Sequence, residues 1–434
     1  MEGGPMKRKA VFAVAMIAAL SLVLAACGDD GGTTTAASCK SSELQALGSL
    51  RGKVSTSGEI QAARTGQAPL AQAKPTVAIG LIGDFTGSNS SLVIHGRDGA
   101  ALAFKLANEA GDLPVNIKFI PLDNKEAAPT TAPALAQRLI NDDEVVGVIG
   151  PAFSGETSAV GPLFKQAGLV HVTQSATRAD LTQQGWETFF RGVGGDSDQA
   201  AAAGDLIAKA LNCKKVALID DKSAYGQGLA DIVETKLKDA NVEIVVNESI
   251  APTTDYTTLV DSLLAQQPDA VFYGGYVAQA PLILKQMRAK GVNAQFISGD
   301  GSKEDKFITD AGAALAEGVL FTCPCLDPNV SSDAAAKDFV AKFQAEYNRA
   351  PGVYGAEAWD VAQIFIAAFK AGKTTRADVL QFVTDLKDFK GLTKTFNWTT
   401  DATALHEVTD KGVNIYAIRG GKIVLLGPSS DFTS

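Results

Sequence analysis

The sequence of 434 residues is poor in the residue types on which many catalytic and metal sites depend. It has three histidines, His95, His171 and His406, and they are too scattered to suggest a metal site. No GxSxG or HExxH motif is present, which argues against the common secreted hydrolases. Lysine and arginine form no cluster beyond the N-terminus and the net charge is −9, which argues against nucleic acid as a partner. We therefore expect no bound metal and no cofactor.

The sequence also lacks an apolar run of the length that a permanent transmembrane helix requires, about 20 residues. A shorter run at residues 10–24 follows the basic residues 7–9 and ends in Leu-Ala-Ala-Cys at Cys27. This arrangement is typical of a secretory signal peptide, so we expect residues 1–26 to be removed. Residues 27–74, rich in small and polar residues, are expected to form a flexible tether.

The four residues 24–27, Leu-Ala-Ala-Cys, resemble the lipobox of bacterial lipoproteins. The resemblance implies that Cys27 becomes the lipid-bearing first residue of the mature chain. The protein is then expected to be exported and anchored to the outer face of the cytoplasmic membrane.

Cysteine is also scarce, with five residues in the chain. Once Cys27 is lipidated, Cys39, Cys213, Cys323 and Cys325 remain, an even number in an oxidising compartment. These four allow three pairings, and the sequence does not choose among them. The Cys-Pro-Cys spacing is not that of a CxxC redox motif, and disulfide bonds are favoured over metal ligation.

From Thr76 onward, short apolar strands alternate with amphipathic helices, the pattern of a parallel, doubly wound sheet. The pattern starts again after the glycine-rich stretch 192–196. Among its elements we predict helices at 132–140 and 198–211 and strands at 215–220 and 295–298. The sequence therefore predicts an α/β fold of two doubly wound, Rossmann-like lobes joined by a multi-strand hinge. Several chain crossings would restrict the bending of such a hinge. We assign residues 75–194 and 322–395 to the first lobe and residues 195–321 and 396–434 to the second.

Hydroxyl-bearing turns follow two of the predicted strands. Ser154 comes shortly after the strand at 145–149, and Ser175, Ala176 and Thr177 come after the strand at 169–173. Ligands of such sheets bind outside the carboxyl ends of the strands, so these turns should share one site. Both turns are expected to open helices, whose free N–H groups can hold a small anion such as a carboxylate. The alternative is that Ser154 and Thr177 are only helix N-caps.

Five segments, taken as a set, resemble the branched-chain amino acid (Leu/Ile/Val) binding proteins of ABC importers, which have the type I periplasmic binding protein fold. The segments are VVGVIGPAFS, TQSATRADL, RGVGGDSDQ, DDKSAYGQGLA and FYGGYVAQAPLILKQMRAKG, and the likeness runs from about Thr76 to the C-terminus. The resemblance implies a monomeric solute receptor, not an enzyme. Such a receptor captures a small zwitterionic amino acid, branched-chain or other aliphatic, by lobe closure and delivers it to a membrane permease.

The same resemblance implies how the first lobe would hold the ligand. Ser154 matches the serine that contacts the α-carboxylate, and Ser175, Ala176 and Thr177 match a loop that grips the amino-acid backbone. Leu92 stands where the family often has an aromatic residue against the ligand side chain. An aliphatic residue there still suits an apolar side chain, but it leaves the specificity open.

In the second lobe, Tyr225 and Tyr276 match tyrosines that close over the ligand, and Asp300 falls where the family places an acid that meets the ammonium group. A buried zwitterion keeps both charges, so each end needs charge-assisted hydrogen bonds. Asp300 is shorter than the glutamate of some relatives, which allows a shifted or water-mediated contact. Tyr225 could instead pack within its own lobe, and Asp300 could cap a helix beginning near Lys303.

Three alternatives remain at this point. The same fold could bind urea, a short amide or an aromatic acid, and a ligand without an ammonium group would leave Asp300 unpaired. A secreted hydrolase could pair Ser154 with His171, although His171 lies on an apolar strand and is more typical of a core residue. A sensor domain would need a transmembrane or effector segment.

Overall fold

The computed structural model describes residues 74–125 and 129–432. The predicted signal peptide, Cys27, Cys39 and all but the end of the predicted tether lie outside these residues. The first lobe is built on a five-stranded parallel sheet with strand order β2-β1-β3-β4-β5. Its strands are β1 (Thr76–Gly83), β2 (Asn116–Asp123), β3 (Val145–Ile149), β4 (His171–Thr173) and β5 (Phe189–Arg191).

Helices cover both faces of this sheet. Alternate residues of β1 therefore enter two separate apolar clusters: Ile79 faces the helices at 90–110 and 355–370, whereas Ala78 faces the helices at 132–140 and 154–166. A strand that is buried on both faces is apolar throughout rather than alternating, as β1 and β3 are. The helices are α1 (Ser90–Ala110), α2 (Ala132–Ile140) and α3 (Ser154–Gln166), with α10 (Ala334–Tyr347), α11 (Gly355–Lys370) and α12 (Arg376–Thr384) from later in the chain.

The second lobe is built on a seven-stranded sheet with strand order β14-β13-β10-β9-β8-β6-β7. The five strands from β10 to β7 in this order are parallel to one another. At the other edge, β13 pairs antiparallel with β10, and β14 pairs antiparallel with β13. The strands are β6 (Lys215–Asp220), β7 (Glu243–Ser249), β8 (Ala270–Gly274), β9 (Gln295–Ser298), β10 (Leu320–Cys323), β13 (Asn414–Arg419) and β14 (Lys422–Pro428).

This sheet is also covered on both faces, because Ile219 and Leu218 of β6 belong to different apolar clusters. Its helices are α4 (Asp196–Asp205), α5 (Ala224–Asp239), α6 (Thr257–Gln266), α7 (Ala280–Ala289), α8 (Asp305–Ala311) and α9 (Ala313–Ala316). A small hairpin of β11 (Phe389–Lys390) and β12 (Thr395–Phe396) completes the described strands. Within the described ranges, none of the helices is both long and apolar enough to cross a bilayer.

Three chain segments cross between the lobes, at residues 192–195, 323–326 and 408–414. They are tightly packed at Gly194, where an added Cβ would lie 2.3 Å from the Lys411 carbonyl oxygen and 3.0 Å from Pro324 Cβ. The predicted multi-strand hinge is therefore present. The predicted return to the second lobe at residue 396 is too early, because Phe396 and Val408 are buried in the core of the first lobe.

The two-lobed α/β prediction is confirmed, and two local predictions are wrong. Thr177 does not open an α-helix, since only a 3-10 turn at Ala179–Gln183 follows. The helix expected at 198–211 is regular only to Asp205 and continues as a π-helical turn, Leu206–Ala210.

The described cysteines resolve part of the pairing problem. Cys323 and Cys325 form a disulfide bond within the second hinge crossing, and both side chains are buried. Cys213 is a free, buried thiol, so it takes no part in a disulfide bond with either of them.

Candidate functional site

Ser154 lies at the carboxyl edge of the first sheet, as the first residue of α3. Its side chain is buried, and the neighbouring N–H groups of the first helical turn have no partner within the helix. The Ser154 hydroxyl oxygen accepts a hydrogen bond from the N–H of Arg178 at 3.2 Å. The N-cap position belongs to Phe153, so the prediction of Ser154 as a mere N-cap is wrong.

The loop after β4 uses several of its donors internally. Thr173 Oγ1 accepts from the N–H of Ser175 at 3.3 Å and from that of Ala176 at 2.9 Å. The Ser175 hydroxyl donates to the carbonyl of Ala152 at 2.7 Å. The bond from Ser175 ties the two strand-end loops to each other, and the bonds to Thr173 fix the loop after β4 internally. They also mean that the N–H groups of Ser175 and Ala176 already have acceptors.

Asp300 lies at the end of β9 in the second lobe and is buried. The Tyr225 hydroxyl donates to one of its carboxylate oxygens at 2.9 Å, and the Tyr354 hydroxyl donates to the other. Burial raises the pKa of Asp300 above its ordinary value, and these two hydrogen bonds offset part of the increase. Burial and the neighbouring Asp300 carboxylate hold the pKa of Tyr225 and of Tyr354 well above ordinary values, so both remain donors.

Tyr276 links the second lobe to the first through its ring. It stacks on Tyr225 with ring centroids 5.1 Å apart and meets the ring of Phe153 edge-on at 4.9 Å. Its main-chain N–H donates to Asp221 at 3.0 Å, which fixes the backbone after β8. Aromatic contacts of this kind give the cavity a rigid apolar wall.

These groups surround a small cavity between the lobes, with a volume of about 20 Å³. Six of the eight predicted ligand residues line it, namely Leu92, Ser154, Ser175, Tyr225, Tyr276 and Asp300. Ala176 and Thr177 do not. Ala176 is buried in a small apolar cluster behind the loop, and Thr177 is buried outside the lining. The other lining residues are Val93, Ala152, Phe153, Gly301 and Tyr354.

Tyr354 is the lining residue whose omission from the sequence-based prediction matters most. It immediately precedes α11 in the left-handed backbone region, with φ of 61°, and it brings a first-lobe hydroxyl to the second-lobe Asp300. The sequence signal was weak: a tyrosine beside the glycines Gly352 and Gly355 at a helix start. Only the return of the chain to the first lobe puts this tyrosine opposite Asp300.

A second acid, Asp196, lies behind Asp300 at the start of α4 and is completely buried. Burial, together with the neighbouring Asp300 carboxylate, raises the pKa of Asp196 well above its ordinary value, and Thr177 and Arg191 offset part of this increase. Asp196 does not line the cavity. Burial therefore makes both carboxyl groups at the second-lobe end of the cavity harder to ionise.

The remaining sequence alternatives are resolved by position. His171 is fully buried between the rings of Phe164 and Phe189, at centroid distances of 5.0 and 5.2 Å, and neither ring nitrogen has a hydrogen-bond partner among the described residues. Burial lowers the pKa of His171 to about 3. The hypothesis of a Ser154–His171 pair is therefore wrong.

The alternative of Asp300 as a helix cap is also wrong, because Glu304 is the N-cap residue of α8. Tyr225 does pack in the core of its own lobe, yet it lines the cavity as well. In the described part of the chain, no group of three or more acidic, histidine or cysteine side chains is placed to hold a metal ion.

The cavity thus has donors at its first-lobe end, a carboxylate at its second-lobe end, and an apolar wall that includes Leu92, Val93 and Phe153. A buried charge is stable only when it is compensated by hydrogen bonds or an opposite charge. The arrangement can therefore compensate both ends of a small dipolar molecule that has an apolar middle or branch.

Comparisons with known proteins agree with this geometry. The family model described as periplasmic binding protein matches residues 76–421. An amino acid binding protein of Pseudomonas aeruginosa is 35% identical over 272 residues, which are 62% of this chain and 72% of that protein. The Leu/Ile/Val-binding protein BraC3 of Rhizobium johnstonii is 30% identical over 359 residues, 82% of this chain and 95% of that protein.

A solved structure is similar over the same region. It is that of the branched-chain amino acid transporter substrate binding protein LivJ from Streptococcus pneumoniae in complex with isoleucine. The TM-score is 0.74 at 28% identity, and the match covers 81% of this chain and 100% of that chain.

Proposed function

The chain belongs to the periplasmic binding protein family, and on that premise we propose that it captures a small amino acid, branched-chain or otherwise aliphatic, for an ABC importer. One observation carries the proposal: Ser154 of the first lobe and Asp300 of the second line the same cavity, with apolar side chains between them. This is the pattern of charges that an α-amino acid with an aliphatic side chain requires. No covalent chemistry is needed, and we propose a binding protein rather than an enzyme.

In the proposed complex, the Ser154 hydroxyl and the free N–H groups at the start of α3 donate to the ligand carboxylate. Asp300 accepts from the ammonium group, while Tyr225 and Tyr276 cover the ligand from the second lobe. Ser175 shapes the first-lobe wall. Ala176 and Thr177 act from behind that wall, through the conformation of their loop.

The apolar wall supports an aliphatic ligand side chain. Leu92 and Val93 lie at the start of α1 and are 5% and 2% exposed. An aliphatic ligand side chain packed against them would therefore be shielded from water, which favours its binding. The names of the relatives point the same way, since BraC3 is called a Leu/Ile/Val-binding protein and LivJ was solved with isoleucine. We therefore place leucine, isoleucine and valine first among the candidate ligands.

The cellular setting is proposed from the N-terminal sequence and from the family. Residues 1–26 would direct export, and a lipid on Cys27 would anchor the mature chain to the outer face of the cytoplasmic membrane. Residues 27–74 would then give the two lobes the reach to deliver the ligand to a membrane permease. We propose that the protein acts as a monomer.

Calorimetry with a ligand panel tests the proposal. The panel contains leucine, isoleucine, valine and alanine, with leucinamide, isovalerate, urea and benzoate as analogues that lack one or both charges. We expect the branched-chain amino acids to bind most tightly. Asp300→Ala should weaken their binding at least tenfold, about 1.4 kcal/mol, because the ammonium group loses its carboxylate.

The matched control is Asp261→Ala, which removes an exposed carboxylate on α6 of the same lobe and should leave the affinities unchanged. Unchanged affinity of Asp300→Ala for every zwitterion would remove Asp300 from the site. Tighter binding of urea, benzoate or isovalerate than of any amino acid would instead favour another small solute in the same fold.

A further inference from the structure

Arg191, the last residue of β5, is a fully buried arginine next to the candidate site but outside its lining. It is 1% exposed, and Glu407, directly before the third hinge crossing, is 4% exposed. Arg191 Nε donates to Glu407 Oε1 at 2.9 Å, and Nη2 forms a second bond to the same carboxylate. The side-chain hydroxyl of Thr182 donates to Glu407 at 3.2 Å. The pair therefore joins the first sheet to the hinge through a two-pronged ion pair.

The rest of the guanidinium is directed at the loop after β4. Nη1 donates to the carbonyl oxygen of Thr177 at 3.0 Å and to that of Arg178 at 2.5 Å. A buried ion pair usually adds little net stability, because two charges must leave water. The contacts that distinguish this pair are thus the two main-chain carbonyls, which fix the conformation of the loop.

The peptide bond between Thr177 and Arg178 is held on both sides. Its carbonyl oxygen accepts from Arg191, and its N–H donates to the hydroxyl oxygen of Ser154 at 3.2 Å. A hydroxyl can accept and donate at the same time, so the Ser154 group that accepts from this peptide still has a proton to donate to a ligand. Ser154 lines the cavity, whereas Arg191 does not.

We propose that Arg191 is a positioning residue for the ligand carboxylate. By holding the Thr177 and Arg178 carbonyls, it orients the peptide that turns the Ser154 hydroxyl into a donor toward the cavity. A guanidinium on the carbonyl also polarises the peptide, which strengthens its N–H as a donor to Ser154. This inference rests on the proposed function, since it assumes a carboxylate-bearing ligand at Ser154.

Lysine cannot replace arginine here, because an ammonium group cannot bind a carboxylate with two prongs and reach two carbonyls in the same plane. Arg191→Lys keeps the charge and removes this geometry. The matched control is Arg376→Lys. Arg376 also donates to three main-chain carbonyls of the first lobe, those of Ile140, Asp142 and Val145, but at the opposite end of β3 from Ser154.

The experiment compares the affinities for leucine and leucinamide in each folded variant, and it follows amide hydrogen exchange in residues 174–182. Arg191→Lys is expected to reduce the preference for leucine over leucinamide at least fivefold and to speed exchange in that segment. Arg376→Lys should lower the melting temperature without changing either readout. In a Ser154→Ala background, Arg191→Lys should have little further effect on the preference, because Arg191 acts through Ser154.

Glu407→Gln provides a second variant in case Arg191→Lys does not fold. It loosens the same guanidinium and should shift the preference in the same direction by a smaller factor. An Arg191→Lys or Glu407→Gln protein that keeps the wild-type preference and exchange rates would overturn the inference about Arg191 and leave the proposed function standing. A wild-type protein that binds no amino acid would overturn the proposed function, and the role of Arg191 in carboxylate binding with it.

Discussion

Glu156, in the first turn of α3, is a completely buried carboxyl group close to the candidate site. The Asn124 side-chain amide donates to one oxygen, and the N–H of Phe153 approaches the other at 3.4 Å. Burial raises the pKa of Glu156 to about 8, and the nearby Asp84 carboxylate adds to the increase. The folded protein therefore keeps this group protonated at a pH where the unfolded chain has released the proton.

This difference predicts how stability depends on pH. Below the ordinary pKa of 4.5 the Glu156 carboxyl is protonated in both states, and its contribution to the free energy of unfolding is at its maximum. As pH rises toward about 8, the unfolded chain alone loses the proton, so this contribution declines. Glu156→Gln cannot titrate. We expect its melting temperature, relative to that of the wild type, to increase as pH rises through this window.

Thermal melts of the ligand-free protein across that range check the prediction. Glu109→Gln, which changes an exposed glutamate at the end of α1, should follow the wild type at every pH. Parallel curves for Glu156→Gln and the wild type would mean that the buried carboxyl does not titrate in this window.

At the same scale, the sequence identified some site residues and not others for a physical reason. Ser154 and Asp300 follow predicted strands, and the edge of a parallel sheet where its strands end is known once the strands are known. Tyr354 and Arg191 gain their roles from partners that are distant in the chain, Asp300 and Glu407 respectively. No local pattern contains that information.

At the scale of elements, α1 and α11 of the first lobe pack closely against each other. Gly99 makes this approach possible, because an added Cβ would lie 2.1 Å from the Gly355 carbonyl oxygen. A backbone atom cannot move aside as a flexible side chain can. The spacing of the two helices therefore depends on the absence of a side chain at this position.

Gly99→Ala is expected to lower the free energy of unfolding by about 1–3 kcal/mol, because α1 and α11 must separate to admit the methyl group. Gly96 in the same helix provides the control, since its added Cβ would meet nothing closer than 3.5 Å. Gly96→Ala should leave stability unchanged or raise it by up to about 1 kcal/mol. Urea denaturation of both variants measures the difference, and equal effects would contradict the packing argument.

Strand and helix positions were predicted well wherever apolar periodicity was strong. β6, β9 and α2 have the predicted bounds, Lys215–Asp220, Gln295–Ser298 and Ala132–Ile140. The failure after β4 has a tertiary cause. The Thr177 carbonyl, which would accept the first bond of a helix, accepts from Arg191 and from the N–H of Asp196. The Arg178 carbonyl accepts from Arg191 and, as the first bond of the 3-10 turn, from the N–H of Leu181.

At the scale of the whole molecule, the structure describes lobes that are in direct contact across the cavity. Opening the cavity would break each of these contacts and expose the lining to water. They include the bond from the Tyr354 hydroxyl to Asp300, the bond from the Ala278 N–H to Asn89 Oδ1 at 3.3 Å, and the ring contact between Phe153 and Tyr276 at 4.9 Å.

A ligand that binds only between closed lobes shifts the protein toward this compact conformation. We therefore expect saturating leucine to reduce the radius of gyration measured by small-angle X-ray scattering. Asp300→Ala at the same leucine concentration should scatter like the ligand-free protein. Identical scattering curves with and without leucine, at a concentration where calorimetry shows binding, would rule out lobe closure as the mechanism of capture.

The sequence by itself determined the two-lobed α/β fold, because the alternation of apolar strands and helices depends on neighbours in the chain. It also determined which turns follow the strands, and hence the positions of Ser154, Ser175 and Asp300. The tertiary structure decided what the hinge crossings bring together: Tyr354 against Asp300, and Arg191 against Glu407. Such pairings depend on the path of the chain between lobes, which local periodicity does not encode.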